Sequence, residues 1–369
     1  MSLREENRSN FLDLSSEFLS ILLPFLTMPP NVEVNHSCIL PSPKIPSYLP
    51  HCVHLQKPRK VGVLIQFGFE ADILEIHLNE LKDMVDYFFI LESIQSHFLG
   101  VPKPLIWEDI KNQDRFERFL SKVVHLVLDD SDLPTSITQG KGLDAEPFKI
   151  EALQEKLRWL KFLRWNNITQ YFSDDDILGF GDVDEIPSRD VVFYLKHCKI
   201  PSDPVDIGIW FPFGKINQAF QTDWPVPDHP FTLGDPTYWT IKAALNANKF
   251  PSRNRGTSLG YLLGGMHMTH YGYLPIQIVE YFTASESNHE TVLTILIPIL
   301  RNLSTSSLRT VEMELGGTPK QFNRRITSME NFKRQFPYEY KQIVQIPWFY
   351  NCNRNRYPSW EGLRDTRLY

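Results

Sequence analysis

The sequence predicts an α/β protein built on a mostly parallel sheet flanked by helices. Three observations predict it. Apolar runs of strand length alternate with helical stripes from Val61 onward, the early strands end in acidic residues, and the run Ile177 to Phe180 leads straight into Asp182-x-Asp184-Glu185. Strands that alternate with helices pair in parallel and bury both faces of the sheet. In such sheets ligands bind outside the carboxyl ends of the strands.

At 369 residues, with 42% hydrophobic and 13% aromatic content, the chain can bury a large core. We expect one catalytic domain over residues 60–345. Residues 1–59 read as an extension, in which a short apolar segment precedes a linker carrying Pro41, Pro43, Pro46, Pro50 and Pro58. Residues 346–369 read as a surface tail. A net charge of −6 and a pI near 6.0 argue against nucleic acid as the partner. Cys38, Cys52, Cys198 and Cys352 are widely spaced and form no C-x-x-C, so no zinc site is expected and the redox compartment stays open. No run reaches the roughly 18 apolar residues of a membrane span. The best candidate, Phe18 to Met28, contains Pro24 and reads as an amphipathic surface helix with weak membrane association, a degenerate signal-anchor being the alternative. N-glycosylation triplets begin at Asn7, Asn35, Asn167 and Asn302.

Taken in order, Val61 to Phe67 is a strand, and Ala71 to Lys82 a helix with Ile73, Leu74, Leu78 and Leu81 on one stripe. Glu70 and Asp72 stand at its start, where acids favour a helix N-terminus. Tyr87 to Leu91 is a second strand, ending in Glu92-Ser93. A basic amphipathic helix with Arg115, Arg118 and Phe119 leads to a third, Val123 to Leu128. No Gly-x-Gly-x-x-Gly follows the first strand, so the dinucleotide fingerprint is absent. Ile150 to Trp165 is helical, with Leu153, Leu157 and Leu160 as its core-facing stripe. Pro187 and Ser188 open another helix. Val205, Ile207, Ile209 and Phe211 alternate like a half-buried strand. The aromatic stretch Phe211 to Trp239 suits either a sugar cleft or packing under a loop. Gly264-Gly265-Met266-His267 precedes His270 and a helix over Pro275 to Phe282. Lys320, Arg324 and Arg325 neutralise a diphosphate or form a solvated face.

With period two, Asp182 and Asp184 project to one side and suit one divalent cation. At ~4 Å and an effective dielectric of about 20, each unit-charge pair is worth roughly 4 kcal/mol. A metal therefore makes a nucleotide diphosphate both bindable and a competent leaving group. The bland reading is a pair of solvated loop acids. A third reading is a calcium loop starting at Asp174, with Asp176, Gly179 and Glu185 in register, but Leu178 stands where an oxygen ligand is needed.

Several stretches together resemble glycosyltransferase family 17, the family of the β-1,4-mannosyl-glycoprotein 4-β-N-acetylglucosaminyltransferases. They are Glu70-Ala71-Asp72-Ile73-Leu74-Glu75-Ile76, Val85-Asp86-Tyr87-Phe88 with Glu92-Ser93, Gly100-Val101-Pro102-Lys103-Pro104-Leu105, the run Asp182 to Asp190, and Gly265-Met266-His267-Met268-Thr269. The resemblance implies a GT-A type, Rossmann-like single domain. It also implies UDP-N-acetylglucosamine as donor, a divalent metal (Mn²⁺ or Mg²⁺), a mannose-containing N-glycan of a glycoprotein as acceptor, inversion at the anomeric carbon, and a Golgi lumen or membrane location. On that reading Asp182 and Asp184 hold the metal, with His267 as a further ligand. Phe67, Glu70, Asp72, Glu92 and Lys103 stand where the nucleotide sits, and Glu185 and Glu286 are the candidate general bases. Met266, His77 and Ile94 depart from the family's Trp, Arg and Asn. Those departures keep a second reading open, a catalytically silent relative that binds glycans or serves as a scaffold.

Overall fold

The computed structural model describes residues 3–97, 100–133, 147–213, 215–221, 236–253, 261–268, 274–283, 325–363 and 367. Helix α1 (Leu3–Thr27) precedes β1 (Val61–Gln66), α2 (Ala71–Leu81) and β2 (Tyr87–Ser93). Short helices α3 (Ile106–Ile110) and α4 (Asp114–Glu117) lead to β3 (Val123–Leu128), and α5 (Pro147–Thr169) to β4 (Ile177–Asp182). Next come β5 (Glu185–Pro187), α6 (Arg189–His197), β6 (Val205–Trp210), β7 (Pro212–Phe213) and β8 (Lys215–Gln221). β9 (Thr237–Thr240), α7 (Ile241–Leu245), β10 (Tyr261–His267) and α8 (Leu274–Thr283) follow. Then come β11 (Arg325–Ser328), α9 (Met329–Gln335), α10 (Pro337–Ile343) and α11 (Trp348–Cys352), followed by two 3-10 turns, Arg354–Arg356 and Pro358–Glu361.

The predicted α/β class holds. Eight strands form one sheet in the order β3-β2-β1-β4-β9-β6-β10-β5, parallel from β3 through β4 and again between β6 and β10. A small antiparallel sheet, β11-β8-β7, stands apart. β1 is continuously apolar because the sheet divides two cores. Val61, Val63 and Ile65 join α2 on one face, while Leu64 meets Trp159, Phe162 and Phe180 on the other.

Several expectations change. β6 is buried at every position, not on one face, because this central strand is covered on both faces of the sheet. The basic helix at Arg115 shrinks to the single turn α4, and Arg115 is buried against Asp72 at 2.8 Å. On α5 the leucine stripe reaches only the margin of the core, where Leu157 packs half-buried. Gln154, Arg158, Trp159 and Phe162 are buried, while Leu160 is exposed. The calcium loop is excluded, since Ile177–Asp182 is a strand paired on both sides, with β1 and β9.

The two ends of the chain are also held to the sheet domain. Leu19, Leu22 and Leu26, spaced for one helical face, enter the main core. Among the described residues no helix is long and apolar enough to cross a membrane. Disulfides join Cys38 to Cys352 and Cys52 to Cys198, with Cα separations of 6.0 and 5.2 Å. The second uses two of the three residues (Cys52, His54 and Cys198) whose ligand atoms otherwise cluster as a metal site would. Tyr350, Tyr357 and Trp360 pack in the core, so the expected surface tail is an inner layer. Below them Asp72 and Glu75 on α2 bond Arg367 at 2.7 Å and Arg356 at 2.9 Å. Because both disulfides close long loops, 314 and 146 residues apart, Cys198→Ala should lower stability by about 2–5 kcal/mol in urea unfolding. An unchanged midpoint would mean that this cross-link does not constrain the unfolded chain.

Two buried groups on α2 set opposing pH dependences. His77 Nδ1 donates to the Val183 carbonyl at 2.8 Å, and burial pushes its pKa down to about 4. Folding favours the neutral ring, so this stability is present above the unfolded value of 6.5 and is lost as pH falls toward 4. Burial raises Glu80 to about 7, even though the Phe349 N–H and Arg189 favour its charge. Its contribution is present below the unfolded 4.5 and lost as pH rises through 7. Glu80→Gln keeps an acceptor for Phe349, and should raise stability at pH ~8 by roughly 3 kcal/mol and change little at pH ~4. Equal effects at both pH values would contradict a buried, titrating carboxyl.

Candidate functional site

The acidic run sits where the sheet ends. β1 and β4 are in register with Gln66 opposite Asp182, and the Val183 N–H donates to the Gln66 carbonyl at 3.0 Å. β4 stops at Asp182, and Val183-Asp184 form a turn into β5, which pairs antiparallel with β10. That close pairing requires glycine. Gly265 has φ of +145°, and a Cβ there would meet the Ile186 carbonyl at 2.4 Å. Ser188 then caps α6, its Oγ accepting the Val191 N–H at 3.4 Å.

Pairing of β5 with β10 sets His267 opposite Glu185 and brings it to Asp184, with Nε2 3.5 Å from Oδ2. The Met268 N–H donates to the Asp184 carbonyl at 2.7 Å, and Phe211 stacks on the imidazole with centroids 4.3 Å apart. The two acids thus meet different partners across the turn. Period two fails across the turn, so Asp184 faces His267 while Asp182 faces Arg253.

Arg253 is the centre of the second cluster. Its guanidinium bonds Asp182 Oδ2, Glu185 Oε1 at 3.2 Å, Glu151 Oε1 at 2.7 Å and Glu155 Oε1 at 2.8 Å. Burial pulls its pKa down, but the four carboxylates carry it well above the ordinary value. Beneath it, Arg158 donates to the Leu64 carbonyl at 3.1 Å and the Gly181 carbonyl at 2.8 Å, bridging β1 and β4. Glu151, Gln154, Glu155 and Arg158 recur at i, i+3, i+4 and i+7, which is a helical stripe. Its signal was legible in the sequence, but the leucines at 153, 157 and 160 drew the reading to the neighbouring face. Arg253 carried no local signal at all.

The other predicted site residues divide between this edge and the interior. Phe67 is buried and donates its N–H to the Leu91 carbonyl at 2.9 Å. Glu70 makes no side-chain cap of α2. Its carboxylate accepts the Gly68 and Phe69 N–H groups at 3.2 and 2.7 Å. Asp72 is committed to Arg115 and Arg367. Glu92 accepts Lys103 at 3.2 Å, His125 at 2.9 Å and the first N–H groups of α3, Ile106 and Trp107, at 2.8 and 3.0 Å. Burial pulls Glu92 upward, yet Lys103 and His125 hold its carboxyl below the usual range. Glu185 turns inward, accepting the Asp182 N–H at 3.0 Å. Glu286, His270, Lys320, Arg324 and most of the aromatic stretch, 222–235, lie outside the described residues.

Missed by the sequence reading is a polar cluster at the end of β1. Gln66 Nε2 lies 2.5 Å from His97 Nε2 and donates to Gln154 Oε1 at 3.1 Å. Gln66 Oε1 is buried without a partner among the described residues.

The donor set at Asp184 fits a divalent cation. An acidic oxygen and an imidazole nitrogen bound to one ion at about 2.1 Å each lie roughly 3 Å apart, near the spacing seen. The carboxylate suits Mn²⁺ or Mg²⁺, whereas imidazole nitrogen is more often a ligand of zinc or iron.

The family model of glycosyltransferase family 17 matches residues 44–206. The β-1,4-mannosyl-glycoprotein 4-β-N-acetylglucosaminyltransferases of Rattus norvegicus and Homo sapiens are each 31% identical over 163 residues, and that of Mus musculus 30%. These matches cover 43% of this chain and 28% of each relative, so the matched stretch spans under a third of the relatives' length. Residues 44–206, which hold β1 to β5 and the acidic turn, thus match the glycosyltransferase family 17 pattern.

Proposed function

We propose that the protein is an inverting glycosyltransferase that moves N-acetylglucosamine from UDP-N-acetylglucosamine to a mannose-containing N-glycan of a glycoprotein. The observation that carries the reading is the Asp184–His267 pair at the carboxyl edge of the sheet, in which Asp184 lies in the turn within residues 44–206 and His267 comes from β10. Asp184 and His267 would hold Mn²⁺ or Mg²⁺, which supplies neutralisation of the leaving diphosphate when bound. Phe211 keeps the imidazole facing Asp184. Gln66, whose Oε1 has no partner among the described residues, and His97 would meet the nucleotide at the end of β1. Inversion needs a base for the acceptor hydroxyl. Glu185 is bonded inward to Arg253 and the Asp182 N–H, which leaves Glu286 as the sequence's other candidate.

The relatives' names, which describe glycoprotein modification, and the two disulfides support the Golgi lumen as the place of work. The test is UDP release from UDP-N-acetylglucosamine by purified protein, with Mn²⁺ and with chelator. Metal-dependent release bears the reading out. Folded protein that releases UDP from no common UDP-sugar overturns it. One observation favours the silent relative instead, since Asp182 is already neutralised by Arg253. UDP binding without turnover would establish that second reading.

A further inference from the structure

We propose that Asn35 carries an N-linked glycan in the mature protein. Of the four Asn-x-Ser/Thr triplets, those at Asn35 and Asn167 have described side chains, and both asparagines are exposed. Their surroundings differ. Asn167 lies in the last turns of α5, where Thr169 Oγ donates to the Trp165 carbonyl at 3.1 Å. Asn35 lies outside any helix or strand. Its Oδ1 accepts the Ser37 N–H at 3.1 Å and the Ser37 hydroxyl at 2.6 Å. The triplet's hydroxyl thus already faces the amide whose nitrogen reacts, and among the described residues no hydrogen bond is made by Nδ2.

Two further observations, independent of the triplet, support the site. The chain closes two disulfides, which form and persist in oxidising compartments, where N-linked acceptors on surface loops are also modified. The loop is anchored without using the Asn35 side chain. Its backbone N–H donates to Asn353 Oδ1 at 2.7 Å, and Cys38 is bonded to Cys352. A glycan here stands on a fixed stalk, folds compatibly with every contact seen, and covers nearby apolar side chains, Val32 at 44% and Ile39 at 88% exposure. The inference does not depend on the reaction proposed above.

The transfer is a displacement. Asn35 Nδ2 bonds to the anomeric carbon of a lipid-diphosphate-linked oligosaccharide, and the bond from that carbon to the diphosphate oxygen breaks. The lipid diphosphate leaves with the electron pair, and Nδ2 loses one proton to a base of the transferring enzyme.

The full chain would be expressed behind a secretory leader in eukaryotic cells, with Asn35→Gln and Ser37→Ala beside it. Amide-releasing glycosidase in heavy-oxygen water should convert Asn35 to labelled Asp in the wild-type peptide. Both variants should lose one glycan's worth of mass, while Ser37→Thr keeps it. Recovery of the unmodified Asn35 peptide from secreted, disulfide-bonded wild type would overturn the proposal. That peptide decides the matter whether or not the variants are secreted.

Discussion

Asp184→Ala should reduce metal-dependent UDP release by about a hundredfold to a thousandfold, because the lost metal ligand removes several kcal/mol of charge stabilisation in the transition state. The expectation is specific to Asp184, whose Oδ2 faces His267 at the open edge of the sheet. Asp182→Asn should behave differently. Its partner is the buried guanidinium of Arg253, so the substitution should weaken folding while changing the apparent Mn²⁺ affinity by less than the roughly 10–100-fold that losing even an outer-shell partner costs. Titrating Mn²⁺ against UDP release for wild type and both variants separates the two. Equal loss of metal affinity in both would show that the acids share the ion after all. Full activity in Asp184→Ala would remove the metal site from this turn.

Arg253→Met should lower stability by about 3–5 kcal/mol, the effect of taking one partner from a buried ionic cluster. Four carboxylates, from Glu151, Glu155, Asp182 and Glu185, would be left facing one another with their shared cation gone. Arg253→Lys should recover only part, since a single ammonium cannot reproduce a planar fork bonded on all three nitrogens. The measurement is the urea midpoint at neutral pH, repeated for Arg253→Met with Glu151→Gln. That second change should restore stability by roughly 1 kcal/mol or more if the two groups are coupled. A loss under about 1 kcal/mol would mean that water or rearrangement satisfies the cluster, and that Arg253 does not hold α5 to the acidic turn.

Much of the fold was legible because its signals are local. β1, β3, β4 and the helix opened by Ser188 follow from strand-length apolar runs, helical stripes and one capping hydroxyl, all set by near neighbours in sequence. The site was only half legible. Asp182 and Asp184 stood out as acids at the end of a buried run, but period two could not foresee the turn that separates them. His267 was readable as a candidate, whereas its approach to Asp184 depends on the close pairing of β10 with β5 that Gly265 permits.

The sequence by itself thus determined the alternation of strands and helices, the acids at the sheet's edge and the family pattern over residues 44–206. The tertiary structure alone decided that Arg253 neutralises Asp182, that Cys38 meets Cys352, and that Tyr357 and Trp360 are core rather than tail. The reason is physical. Periodicity is written between residues a few positions apart, but the free energy of closing a loop changes only slowly with its length, so the spacing between distant residues says little about which of them meet.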